Sequence, residues 1–126
     1  MVSTTVWVLM LSLAAPVAAS GTQSAAAVRD LTETADAWAD LGNWQRAAEH
    51  YRRALARAPQ RSSIRLKLAR GLARLGDRAG ALAQIGKLEQ AGQLSAAAAA
   101  LAGTVELDAE RPAAACAWFD RALEQE

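Results

Sequence analysis

Few side chains in this 126-residue chain could do chemistry, and their spacing limits what that chemistry is. There is one histidine, His50, one cysteine, Cys116, and one tyrosine, Tyr51. No His or basic residue adjoins Cys116 in sequence, so an activated thiolate has no evident source. His50 precedes Tyr51 in a helical pattern that turns Tyr51 to the core and leaves His50 outside. Asp36 and Asp40 are four residues apart and share a helix face, but an alanine-rich chain of this size offers no evident cavity that would make one of them a general acid. No Cys/His cluster has metal-ligand spacing, and Gly76, Gly80 and Gly86 are too scattered to cradle a phosphate. Arg70 and Arg74 are also one helical turn apart; the pair either holds a carboxylate or phosphate bidentately or is a solvated face. These residues predict a chain without catalysis, metal or cofactor, so function must come from the surfaces that the helices present.

The elements that position these residues recur every 34 residues. Ala35, Trp38, Leu41, Gly42, Asn43, Ala47 and Tyr51 fall on Ala69, Leu72, Leu75, Gly76, Asp77, Ala81 and Ile85. A second shift of 34 places Ala81, Ile85 and Leu88 on Ala115, Phe119 and Ala122. A period in this range with helical spacing inside each unit predicts a stacked array of helix pairs. The first helix is expected from Val28, with Asp30 and Thr32 supplying cap chemistry and Leu31, Ala35, Trp38 and Leu41 facing inward. Gly42-Asn43 breaks it, and a second helix runs from about Trp44 to Ala58 with Ala47, Tyr51, Ala54 and Leu55 inside. In the second unit Ile64, Leu68, Ala69, Leu72 and Leu75 face inward before the Gly76-Asp77 turn, and Ala81, Leu82, Ile85 and Leu88 after it. The third unit matches less well. Leu101, Ala102 and Val105 align with Leu68, Ala69 and Leu72 at a shift of 33, which calls for one extra residue near Asp108–Glu110. Pro112 suits the start of its second helix, and Cys116, set among alanines, reads as a small buried helix residue. With 33 alanines and no β-branched alternating run, the fold class is all-α.

Residues 1–19 differ in kind. They carry no charged side chain and an apolar run from Val6 to Ala15, followed by Pro16 and small residues at Val17 and Ala19. That pattern predicts an export signal cut after Ala19, although the n-region lacks the usual Lys or Arg. The alternative is an uncleaved signal that anchors the chain; otherwise contact with the membrane is transient. Residues 20–27 are expected as a flexible linker and 28–126 as the repeat domain, in units of about 28–61, 62–95 and 96–126. Export, combined with Ala/Arg-rich composition, favours a bacterial periplasm. The net charge of +1 hides a segregation. Residues 29–41 carry Arg29 against four carboxylates, net −3; residues 44–78 carry ten basic residues against Glu49 and Asp77, net +8; residues 79–126 carry three against seven, net −4. The basic band is flanked by acidic units and no aromatic interleaves with its arginines, so nucleic acid is not expected as a partner.

The stretch Leu41-Gly42-Asn43-Trp44-Gln45-Arg46-Ala47-Ala48-Glu49-His50-Tyr51-Arg52-Arg53-Ala54-Leu55, ended by Pro59, resembles a tetratricopeptide (TPR) repeat. It has the turn glycine, the aromatic after it, the small Ala at the helix crossing, the next aromatic, the Ala-Leu pair and the terminal proline. In the second unit the resemblance weakens: Arg78 stands where an aromatic is usual, Arg65 where a large apolar residue is usual, and Gln93 where proline is usual. The resemblance implies a short right-handed superhelix of about three helix-turn-helix units that binds a protein or peptide partner along a concave groove lined by each unit's first helix. In the matched register that groove offers Arg29, Thr32, Asp36 and Asp40 from the first unit, and Ser63, Leu66, Lys67, Arg70 and Arg74 from the second. Arg70 and Arg74 would meet anionic partner groups, and Asp36 and Asp40 cationic ones. The Lys and Asn of the clamp that some relatives use for acidic C-terminal peptides are replaced by Thr32 and Asp36. Arrays of this kind usually end in a polar cap, which is not evident beyond Trp118 and Phe119. Those two residues are therefore expected to mark a C-terminal docking face for self-association or an envelope assembly.

Overall fold

The computed structural model describes residues 24–126, and the candidate export signal with its cleavage position lies outside them. Six helices run through the described residues: α1 over 24–40, α2 Trp44–Arg57, α3 Ser62–Arg74, α4 Arg78–Gln90, α5 Ala96–Asp108 and α6 Pro112–Glu124. Of the expected linker, residues 24–27 already belong to α1. Asp30 and Thr32 consequently sit inside that helix and not at its start; the Thr32 hydroxyl donates to the Val28 carbonyl at 2.8 Å, one turn back. The turns reflect their residues. Gly42 (φ +78°) and Gly76 (φ +82°) take the left-handed conformation that closes α1 and α3. The next side chains, Asn43 and Asp77, accept from the Arg46 and Gly80 N–H groups at 3.2 and 2.9 Å and start α2 and α4. Ser95 does the same for α5 at 3.1 Å, and Pro112 opens α6.

Successive helices pack against each other, and α3 also touches α5, so the helices form a stack of hairpins. Small residues fill the crossings. Ala35, Ala69 and Gly103 occupy one buried column, and Ala47, Ala81 and Ala115 another, each spaced by 34. Tyr51, Ile64, Leu68, Leu72, Ile85 and Leu88 supply the buried bulk. Arg65, where an apolar residue was expected, spans to Gln84 Oε1 (2.7 Å) and the Pro59 carbonyl (3.0 Å), tying α3 to α4 and to the preceding turn.

The register of the third unit differs from the one read in the sequence. α5 begins 34 residues after α3, and α6 begins 34 after α4, so no residue is inserted near Asp108–Glu110. Leu68 corresponds to Ala102, Ala69 to Gly103 and Leu72 to Glu106, and all three third-unit residues are buried. The 33-residue match was produced by apolar identity alone; helix geometry instead puts a carboxylate in a core column. Glu110 takes φ +60° at the position of Gly42 and Gly76, the same turn made without glycine.

Two further expectations are corrected. Leu41 and Leu75 are not inward: they are 77 % and 46 % exposed. They come directly after the last residues of α1 and α3, where the chain leaves the helix and the inward spacing no longer holds. Cys116 is exposed, because α6 buries only Ala115 fully and Cys116 lies one position beyond it.

The Gly103 contact makes a direct test of this packing. A Cβ built there would lie 2.5–2.8 Å from Phe119 ring atoms. Gly103→Ala should therefore destabilise by about 1–3 kcal/mol through overpacking, despite alanine's better helix propensity. Leu68→Ala should cost about 2–5 kcal/mol, while Leu41→Ala stays within about 0.5 kcal/mol. Urea unfolding followed by circular dichroism measures all three.

Candidate functional site

The groove candidate residues separate into an occupied group and an open one. On α1 and α3, Lys67 Nζ donates to Asp36 Oδ1 and Oδ2 at 3.1 and 3.0 Å, and the buried Tyr51 hydroxyl donates to Asp36 Oδ1 from α2. The sequence assigned Asp36 to a cationic partner; the chain's own Lys67 fills that role. Both charged side chains remain about 40 % exposed, so the ion pair itself contributes under about 1 kcal/mol, and its consequence is positional. Thr32 is half-buried and spends its hydroxyl on the backbone. Asp40, Arg70 and Arg74 are exposed, and none makes an ion pair among the described residues.

Arg70 and Arg74 line a cavity of about 400 Å³ between α3 and α5 together with Trp44, Leu101, Thr104 and Asp108. The α5 side of this cavity is set by the register. Thr104 is 34 residues from Arg70, and Asp108 is 34 from Arg74, so the two pairs face the groove from equivalent positions on successive helices. The sequence reading missed both because it aligned α5 at 33; adding 34 to Arg70 and Arg74 would have found them. The columns read Asp36, Arg70, Thr104 and Asp40, Arg74, Asp108. The second of these alternates negative, positive, negative along the groove. The Arg74 guanidinium lies 5.7 Å from the Trp44 ring centroid, which orients it beside the cavity's apolar wall. The site thus combines two open guanidinium groups, an apolar wall from Trp44 and Leu101, and one carboxylate at its end.

Residues 28–61 match the tetratricopeptide repeat family. No curated protein matches the chain. Tetratricopeptide repeats generally mediate protein–protein interaction and are typically non-enzymatic. The matched stretch covers most of α1, the Gly42-Asn43 turn, all of α2 and Pro59, and the α3–α4 and α5–α6 hairpins repeat that arrangement.

The remaining candidates lie away from this groove. Trp118 and Phe119 are both half-buried. Phe119 packs on Gly103, and Trp118 joins the Ala69, Ile85 and Ala102 cluster with Arg121 stacked 4.7 Å from its ring centroid. Arg121 also pairs with Glu89, fastening α6 to α4. The open apolar residue on α6 is Leu123, 68 % exposed. Arginines and tryptophans are in fact interleaved in space, contrary to the sequence reading: Arg46 stacks on Trp38 at 4.6 Å, as Arg74 does on Trp44. Each of these rings already has one of the chain's own guanidinium groups beside it, so neither is a bare stacking platform for bases.

Burial, then the hydrogen bond to Asp36 and the Asp36 and Asp40 charges, hold the Tyr51 hydroxyl protonated well above the ordinary tyrosine range. Because the folded state keeps this proton and the unfolded chain loses it near pH 10, stability falls as pH rises above about 10. Tyr51→Phe should cost about 1.5 kcal/mol at neutral pH, the low end for a bond to a charged group because the carboxylate is still wet. It should also flatten the alkaline loss relative to wild type. Urea midpoints of the two proteins from pH 7 to about 11 check both statements.

Proposed function

We propose that the chain is an exported, non-enzymatic interaction module that takes an acidic segment of a protein partner along the α3–α5 groove. The observation that carries this reading is the coincidence of Arg70 and Arg74, both open, with an apolar wall at one cavity. A carboxylate on the partner meets the guanidinium fork while a neighbouring apolar side chain enters beside Trp44 and Leu101. Asp40 and Asp108 flank the arginines and select for a cationic residue about one helix spacing to either side, so the preferred segment has acid at its centre and base at its edges. Stacked hairpins fix these groups before binding, which lowers the ordering cost of association. Export rests on residues 1–19, with the cut after Ala19 and a periplasmic destination; an uncleaved anchor is the alternative.

A second reading has the third unit dock into an assembly or a second copy. What favours it is α6, where Leu123 and Cys116 are open while Trp118 and Phe119 are half-buried beside them.

Selection from a random peptide library on residues 20–126 tests the first reading. Enriched peptides should carry acidic residues beside an apolar one and weaken steeply with salt. An Arg70→Glu/Arg74→Glu double variant of unchanged helicity should bind them at least about tenfold more weakly, a loss of about 1.4 kcal/mol or more. Equal binding by both proteins would remove the groove from the account.

A further inference from the structure

A second cavity, about 450 Å³, lies not in the groove but on the turn side of the junction between the second and third hairpins. Gly76 and Asp77 before α4 and Arg78 and Leu82 within it meet Glu106 of α5 and Arg111 of the α5–α6 turn around it. Its lining departs from the 34-residue pattern. At the preceding junction the positions equivalent to Arg78 and Glu106 are apolar: Trp44 lies over Gly71, with its Cε3 4.0 Å from where a Cβ would stand, and Leu72 is buried. One period later Arg78 replaces the Trp44 ring, Glu106 replaces Leu72, and Arg111 replaces Asp77. A space of about 420 Å³ also lies at the equivalent turn of the preceding junction, beside Gly42, Asn43 and Trp44; what differs here is that the lining is charged.

Glu106 is the decisive residue. It is only 8 % exposed, and its Oε2 is buried without a hydrogen-bond partner among the described residues. The nearest cation, Arg111 Nη1, is 3.8 Å away, within ion-pair range but too far to donate a hydrogen bond. Leaving a buried carboxylate oxygen unsatisfied is costly, whereas an apolar residue at this place, as Leu72 shows, is compatible with the fold. Asp77 is committed to the Gly80 N–H, and Arg78 makes no ion pair among the described residues. Glu106 Oε2 therefore lacks a donor, and the cavity's lining offers two guanidinium groups, Arg78 at the N-terminus of α4 and Arg111 at that of α6.

We propose that this cavity binds a small zwitterion of the α-amino acid class, its ammonium donating to Glu106 Oε2 and its carboxylate held by Arg78 and Arg111. The ammonium supplies the missing donor, and the charges of ligand and site match end to end. The volume is in the range of small-molecule sites and exceeds what a single ion needs.

The test uses 15N-labelled residues 20–126, titrated with the common L-amino acids one at a time, with n-butylammonium and acetate as single-charge controls. At least one amino acid should shift the amides of residues 76–79 and 106–111 saturably, at least about tenfold more tightly than either control. Glu106→Gln, which keeps the shape, and Arg111→Gln should each weaken that binding at least about tenfold. Glu106→Leu should abolish it while raising the unfolding midpoint, which separates loss of the site from loss of the fold. The assignment is overturned if no amino acid shifts these amides or if Glu106→Gln binds as wild type does. It is equally overturned if n-butylammonium binds as tightly as the amino acid, since the site would then be one for a cation alone.

Discussion

Close approach of helix backbones at six positions holds this molecule together. Ala35, Ala69 and Gly103 in the first helix of each hairpin, and Ala47, Ala81 and Ala115 in the second, are buried where the helices cross. A larger residue at any of them would push a pair apart and, because each hairpin rests on the last, displace the neighbouring hairpin as well. The Phe119 ring over Gly103 shows the tightest case, in which even a methyl group has no room. Such crossings bury little volume each, so the bulk of the core falls to a few residues, with Leu68, Ile85 and Leu88 the largest that are almost fully enclosed. The α5 helix contributes mostly alanine to this core and places Glu106 in it, so the third hairpin has the smallest apolar reserve.

The same period that builds the stack also writes the charge pattern of the groove. Positions at 36, 70 and 104 and at 40, 74 and 108 recur in space because the crossings recur, and only their side chains change. Lys67 neutralises Asp36 across hairpins, which leaves Arg70 and Arg74 as the open charges of the second unit. The arginines that lie over Trp38, Trp44 and Trp118 combine packing with orientation, so a chain rich in basic residues presents few unoccupied aromatic faces.

Much of the fold was legible because turn chemistry and periodicity agree in the first two units. Gly42-Asn43 and Gly76-Asp77 pair a left-handed glycine with a capping side chain, and Ala47 and Ala81 keep the crossing. The third unit was misread because nine of the thirteen residues of α5 are alanine, leucine or valine, and alanine identity carries no register. Leu101, Ala102 and Val105 gave a plausible match one residue away from the true one, which sets Glu106 where an apolar match does not look for it. That single slip hid Thr104, Asp108 and Glu106 together. Leu41 and Leu75 were misplaced for a different reason: periodicity describes a helix, and both stand just past one.

The register of the third hairpin is what the groove and the turn-side cavity both rest on, and a nuclear Overhauser measurement reads it directly. The account predicts strong contacts between the Gly103 α-protons and the Phe119 ring, with Glu106 protons near Leu82. Contacts from the Phe119 ring to the Ala102 methyl with none to Gly103 would restore the 33-residue alignment and contradict the account.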